Sequence, residues 1–239
     1  AGYDSKDPYT WDVPVPDYTA ALTGDIRGLK VGVIQERVNT TAVDPDIRDG
    51  VVKAISVLGE LGANVEDVSI PLIADSAAIS AAVTAVDAVN VHRNGMRDHL
   101  DQYDHNIQIR LLTGSIMPAQ AHQKAVRLRE MLRRQIMDAL EKVDVLVMPT
   151  SSIPASLLPT RSRVNSKEEV LEGFAGRRAF TAPFNLASLP ALSVGCGFTP
   201  ENLPIGLQIA GKAFDESTVF RVAHAYQQAT DWHTHRPPV

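Results

Sequence analysis

Apolar residues recur along this chain with two different periods. Ile47, Val51, Ala54, Ile55, Leu58 and Leu61 fall three or four positions apart, which places them on one face of a helix over residues 45–61. Asp44-Pro45 offers an N-cap followed by a first-turn proline, and Gly62 a stop. Short apolar runs flank this helix, GLKVGVI at 28–34 and a second strand at 64–70. A strand, a helix and a strand at this spacing predict a βαβ unit with a right-handed crossover, so the sheet is at least partly parallel. The helical period returns in an Ala-rich run over 74–100. It returns again from Pro118 to about Lys142, where Ala121, Ala125, Leu128, Leu132, Ile136 and Ala139 share a face. DVLVM at 144–148 and the runs 191–194 and 205–209 are strand-length and bounded by Gly or Pro. A last helix spans 216–228, capped by Asp215, with Val219, Val222, Ala223 and Tyr226 inside. The predicted fold class is α/β, with a mixed, partly parallel β-sheet flanked by helices. With no repeat and no dividing linker, residues 1–239 read as one unit.

Other segments break these periods. Pro8, Pro14 and Pro16 forbid regular helix in most of residues 1–24, which predicts an extended arm with a short helical turn near 18–22. Residues 106–112 are a loop or a short helix. Residues 151–166 form a long Ser/Pro/Arg loop, followed by helices at 167–173 and near 175–180. From Phe180 to Pro190 the expectation is a pocket-forming loop, because Pro183 and Pro190 push the residues before them toward extended backbone.

Composition narrows the function classes. Apolar residues make up 44% of the 239, which suits a folded globular chain. A formal net charge of −5 leaves no broad basic surface for nucleic acid. Lys124, Arg127, Arg129, Arg133 and Arg134 read as the solvated face of one amphipathic helix. The single cysteine, Cys196, excludes an intrachain disulfide and a cysteine-based zinc site, and its apolar strand suits a small buried hydrophobe. No apolar run reaches membrane-spanning length in this reading, so no membrane partner is expected. The first ten residues lack the basic and apolar stretches of a signal peptide, and the expected compartment is the cytoplasm.

Familiar catalytic arrangements are missing. The sequence has no G-x-S-x-G elbow, P-loop, G-x-G-x-x-G after its first strand, or H-E-x-x-H. Ser151-Ser152 follows a strand end but lacks flanking glycines and a Lys at helical spacing. His92 reads as a surface or satisfied histidine, His233 and His235 as a surface tail, and Asp4 and Asp7 as turn caps. No catalytic residue, metal site or cofactor is therefore expected within this chain.

A series of motifs carries a resemblance. AGYDSKDP opens the chain, VPVPDY follows at 13–18 and DIRGLKVGVI at 25–34. DVLVMPT lies at 144–150, FTAPFNLASLPALSVGCGF at 180–198, LPIGLQIAG at 203–211 and AHAYQQATDWH at 223–233. In this order and spacing they resemble the C-terminal half of the amidase signature family of serine hydrolases. The resemblance implies hydrolysis of linear amide bonds by a Ser–cis-Ser–Lys triad through an acyl-enzyme. All three triad residues are expected upstream of Ala1. It also implies substrate-binding roles for Thr181, Pro183 and Asn185 on the pocket loop, and for Arg110, which resembles a carboxylate-binding arginine of the tRNA amidotransferase branch. A guanidinium fork suits a carboxylate, and a structural salt bridge is the competing reading of Arg110. Arg178-Ala179 stands where that branch carries an acidic residue, which favours a general amidase over glutamine hydrolysis. Ser188 replaces the usual Gly of G-L-P, and Gly195 a usual Pro.

The implied function is that of a fragment supplying part of an amidase pocket, inactive alone. The alternative is a non-catalytic scaffold or interaction subunit. Expected partners are a small-molecule amide and either a second copy or the N-terminal half. The sheet is expected to end at an apolar edge which that half covers, with Ala1 near Thr181.

Overall fold

The computed structural model describes residues 2–157 and 178–236. Strand β1 (Lys30–Ile34) leads through a single turn, α1 (Gln35–Val38), into α2 (Pro45–Glu60) and then β2 (Asn64–Val68). Asp44 caps α2 by accepting from the Asp46 N–H at 2.9 Å. At the other end Gly62 adopts φ 90°, and Gly62 and Ala63 N–H groups bond back to Gly59 and Leu58 carbonyls. This is the left-handed stop that glycine permits. The expected βαβ unit is present, with β1 parallel to β2.

A short 3-10 turn, Pro71–Asp75, precedes α3 (Ser76–His99). Helices α4 (His105–Ser115) and α5 (Ala119–Leu140) follow, then strand β3 (Val145–Pro149). The chain continues through α6 (Arg178–Ala187), β4 (Ala191–Phe198), β5 (Pro204–Gly211) and α7 (Glu216–Ala229). The sheet order is β2-β1-β3-β5-β4. β1 is parallel to β3, whereas β3–β5 and β5–β4 are antiparallel. The mixed, partly parallel sheet is thus as expected.

Every residue of β3 is buried, as befits a central strand covered on both faces. Ile205 on β5 meets α2 at Gly50, and Gly211 meets Val219 of α7. α2 and α7 therefore cover the face that carries Leu207 and Ile209. Gln208 points the other way, and its Nε2 donates to the Phe180 carbonyl of α6 at 2.9 Å.

Several expectations need correction. The stretch 180–187 is helix, not loop. Pro183 cannot donate to the Ala179 carbonyl four residues back, and the buried Ser76 hydroxyl donates to that carbonyl instead, at 3.1 Å. A tertiary hydrogen bond thereby offsets the loss that makes proline a helix breaker. The unit Pro71–Gln102 is long and apolar enough to span a membrane by length and composition, with 22% of its most apolar window buried. The helix packs against α4, α5 and α6. The sheet edges are mixed, and β2 exposes Val65 at 39%. β2 also exposes Glu66 and Asp67, and β4 exposes Ala191, Ser193 and Gly195. The proposed helix at 167–173, most of the loop 151–166, Ala1 and the side chain of Arg178 lie outside the described residues.

Candidate substrate pocket

A cavity of about 680 Å³ opens between α3, α4 and α6. Its α3 wall is made of Ala78, Ala81, Ala82, Ala85 and Ala88, which follow helical spacing and leave room where larger side chains would fill it. α4 contributes Ile107, Arg110 and Leu111, and α6 contributes Thr181, Ala182 and Asn185. α3 and α4 approach closely because residue 114 is glycine: a Cβ there would stand 2.3 Å from the Ala85 carbonyl oxygen. His92 lies on the cavity wall and pairs through Nδ1 with the Tyr103 hydroxyl at 3.1 Å.

The cavity gathers three of the four residues singled out for binding, Arg110, Thr181 and Asn185. Thr181 and Asn185 are four apart on α6 and share its exposed face. Pro183 lies buried on another face of α6 and is not among the lining residues. The lining is predominantly apolar, with a guanidinium, an amide and a few hydroxyls. That composition suits a small organic ligand with one polar or anionic group.

Side-chain donors hold α6 in place. Arg129 and Arg133 of α5 donate through Nε to the Leu186 and Ala187 carbonyls at 2.9 and 3.0 Å. Cations at a helix C-terminus satisfy orphan carbonyls and complement the dipole. These two arginines therefore depart from the solvated-face expectation. Arg37, almost fully buried, stacks its guanidinium 4.8 Å from the centre of the Phe180 ring. Its Nη2 donates to the Ile73 carbonyl and to the Ser76 hydroxyl. Burial lowers the Arg37 pKa from its ordinary value. α6 ends in a reciprocal pair of bonds, from Ser188 N–H to the Asn185 carbonyl and from Leu189 N–H to the Phe184 carbonyl. Ser188 sits there at φ 56°, a conformation that favours glycine.

Other candidates take structural places. The Ser151 hydroxyl donates to the Ile153 carbonyl, and the Ser152 carbonyl accepts from Asp44 N–H beside the α2 cap. Ser193 pairs with Thr150 at 2.6 Å between hydroxyl oxygens. Asp4 and Asp7 accept from the Lys6 and Tyr9 N–H groups in a turn. The Cys196 thiol is buried, and burial pushes its pKa up to about 12. A thiol held neutral in this way is a poor nucleophile. Among the described residues no group of three His, Cys, Asp or Glu side chains stands ready for a metal.

Comparison with protein families matches residues 1–220 to the Amidase family. The chain belongs to the amidase signature family. It is 37% identical over 262 aligned positions to the A subunit of the glutamyl-tRNA(Gln) amidotransferase of Geobacillus stearothermophilus, covering 99% of this chain and 52% of that protein. The corresponding protein of Roseiflexus castenholzii is likewise 37% identical, with 100% and 52% covered. Among solved structures, the same amidotransferase component from Thermotoga maritima superposes with a TM-score of 0.76 at 28% identity, over 96% of this chain and 48% of that one. A bacterial aryl acylamidase of the family shares the fold at a TM-score of 0.83 and 22% identity, over 99% and 52%. The chain thus spans about half the length of the curated relatives it matches.

The network around α6 was not foreseen from the sequence. Arg37 lies three residues past the end of an apolar strand, in VGVIQERV, and that placement is its only local signal. Arg129 and Arg133 lie four apart, as exposed helix residues also do, so spacing alone does not separate capping from solvation.

Proposed function

We propose that this amidase-family chain forms the substrate-binding wall of an enzyme that hydrolyses linear amide C–N bonds. In this reading the attacking serine and its base come from polypeptide outside these 239 residues. Arg110, Thr181 and Asn185 contact the substrate, and Arg110 pairs with a carboxylate or carbonyl on it. The observation that carries the proposal is the convergence of these three residues, from two separate elements, on one cavity in a member of this family. That reading is supported by the partners of Ser76, Ser151 and Ser193, which are a carbonyl, a carbonyl and a threonine, none of them a general base. The unit works in association with its N-terminal half or a second copy, in the cytoplasm.

The test uses the 239-residue chain. Incubated with butyramide, benzamide and a fluorophosphonate serine probe, it should give neither turnover nor a covalent adduct. Titrated with butyrate, it should show NMR shifts at Thr181 and Asn185 that vanish in Arg110→Ala. Turnover by the chain alone overturns the division of labour, and butyrate shifts unchanged by Arg110→Ala overturn the pocket assignment.

A further inference from the structure

A second hollow, of about 170 Å³, lies between the N-terminal arm and the start of α7, and it shares no lining residue with the substrate cavity. Two aromatic rings meet at its wall. Trp11 and Phe214 stand edge to face, with centroids 6.1 Å apart and planes at 67°. Tyr18 forms another part of the wall and is itself pinned edge-on against Phe220 at 5.5 Å. The Glu216 side chain also lines the hollow.

Anchoring of the arm accounts for Tyr18, whose ring is covered by Phe220. It does not account for Trp11 and Phe214, which remain 68% and 54% exposed. Phe214 is also held at φ 62°, a conformation that a bulky side chain rarely adopts. Glu216 is not needed to cap α7, because Asp215 already accepts from the Thr218 N–H and hydroxyl. Among the described residues the Glu216 carboxylate has no ion-pair or hydrogen-bond partner. The hollow therefore brings together two rings inclined at 67°, one phenol ring and a carboxylate. Ring faces are electron-rich, and they attract an ammonium group most strongly when a carboxylate completes the enclosure.

We propose that this hollow binds an alkylammonium cation, with its head group against Trp11 and Phe214 and its charge met by Glu216. A volume of about 170 Å³ admits a methylated ammonium head but not an extended chain. The bound ion is either a free small cation or a methylated lysine on another polypeptide. The net charge of −5 favours the approach of either.

Saturation-transfer NMR on the 239-residue chain tests this directly. Tetramethylammonium chloride should give a saturable methyl signal, whereas tert-butanol, a neutral group of similar shape, should give little at equal concentration. Trp11→Leu and Glu216→Gln should each weaken tetramethylammonium binding roughly ten-fold, with circular dichroism and thermal midpoint unchanged. Tighter binding of a trimethyllysine peptide than of choline assigns the site to a polypeptide partner, and equal binding assigns it to a free cation. Equal signals from tetramethylammonium and tert-butanol, or binding indifferent to both substitutions, overturn the proposal. Because neither substitution touches the substrate cavity, this result stands or falls apart from the pocket assignment.

Discussion

The sheet and the pocket wall are held by different forces. Across β1, β3 and β5, apolar side chains stack on both faces, and Val31, Val145, Leu146, Val147 and Leu207 are wholly buried. The stability of that region scales with apolar area removed from water. α6 also buries Phe180 and Phe184, but its position is set by directed bonds to its backbone. Ser76 and Gln208 reach its first turn, while Arg129 and Arg133 reach its last. Apolar packing tolerates small shifts at graded cost. A carbonyl with a single side-chain donor does not, and a binding wall gains precision from that intolerance.

Substitutions can break this contrast. Leu146→Ala should cost about 3 kcal/mol in denaturant unfolding, from lost transfer energy plus a cavity, while butyrate shifts at Thr181 persist. Arg37→Ala should cost less, about 2–3 kcal/mol, because it strips charged hydrogen bonds from the Ile73 carbonyl and the Ser76 hydroxyl. Its signature should be local: hydrogen exchange at the amides of residues 184–187 should speed up more than exchange in β3. If exchange rises equally in both regions, α6 has no separate anchor.

Gly114→Ala should cost about 1–2 kcal/mol, since the added methyl meets the Ala85 carbonyl and forces α4 away from α3. It should also widen the cavity and weaken butyrate binding. Ser188→Gly should act in the opposite direction, stabilising by about 0.5–1 kcal/mol by relieving the left-handed backbone at the end of α6. A destabilised Ser188→Gly protein would show that the serine side chain, not the backbone, governs this stop.

A further effect is silent at neutral pH and appears only in alkali. Cys196 has its folded pKa raised to about 12, from an ordinary value of 9.0. The unfolded chain therefore loses this proton first. The contribution is fully present below about pH 9 and is lost as pH rises toward 12. Cys196→Ala should flatten this part of the stability profile without changing its neutral-pH shape.

Local patterns made much of the framework legible. The apolar face of α2, its Asp44 cap and its Gly62 stop depend on neighbours within one or two turns, and the structure reproduces all three. The strand-length runs that became β1, β2 and β3 were equally plain. The residues of the pocket were named through motif resemblance, and their convergence needed three helices far apart in the chain. The helical state of α6 is not legible locally because Pro183 is a helix breaker, and the donor that compensates for it, Ser76, is more than a hundred positions from the Ala179 carbonyl.

Sequence alone therefore determined the periods of α2, α3, α5 and α7, the caps of α2 and α7 and the parallel βαβ start, because these follow from short-range sterics and spacing. Tertiary structure decided that a proline-bearing segment is helical, that Arg129 and Arg133 cap rather than face water, and that Arg110, Thr181 and Asn185 line one cavity. Each of these outcomes turns on a partner supplied by a distant element, and short-range spacing carries no information about such partners.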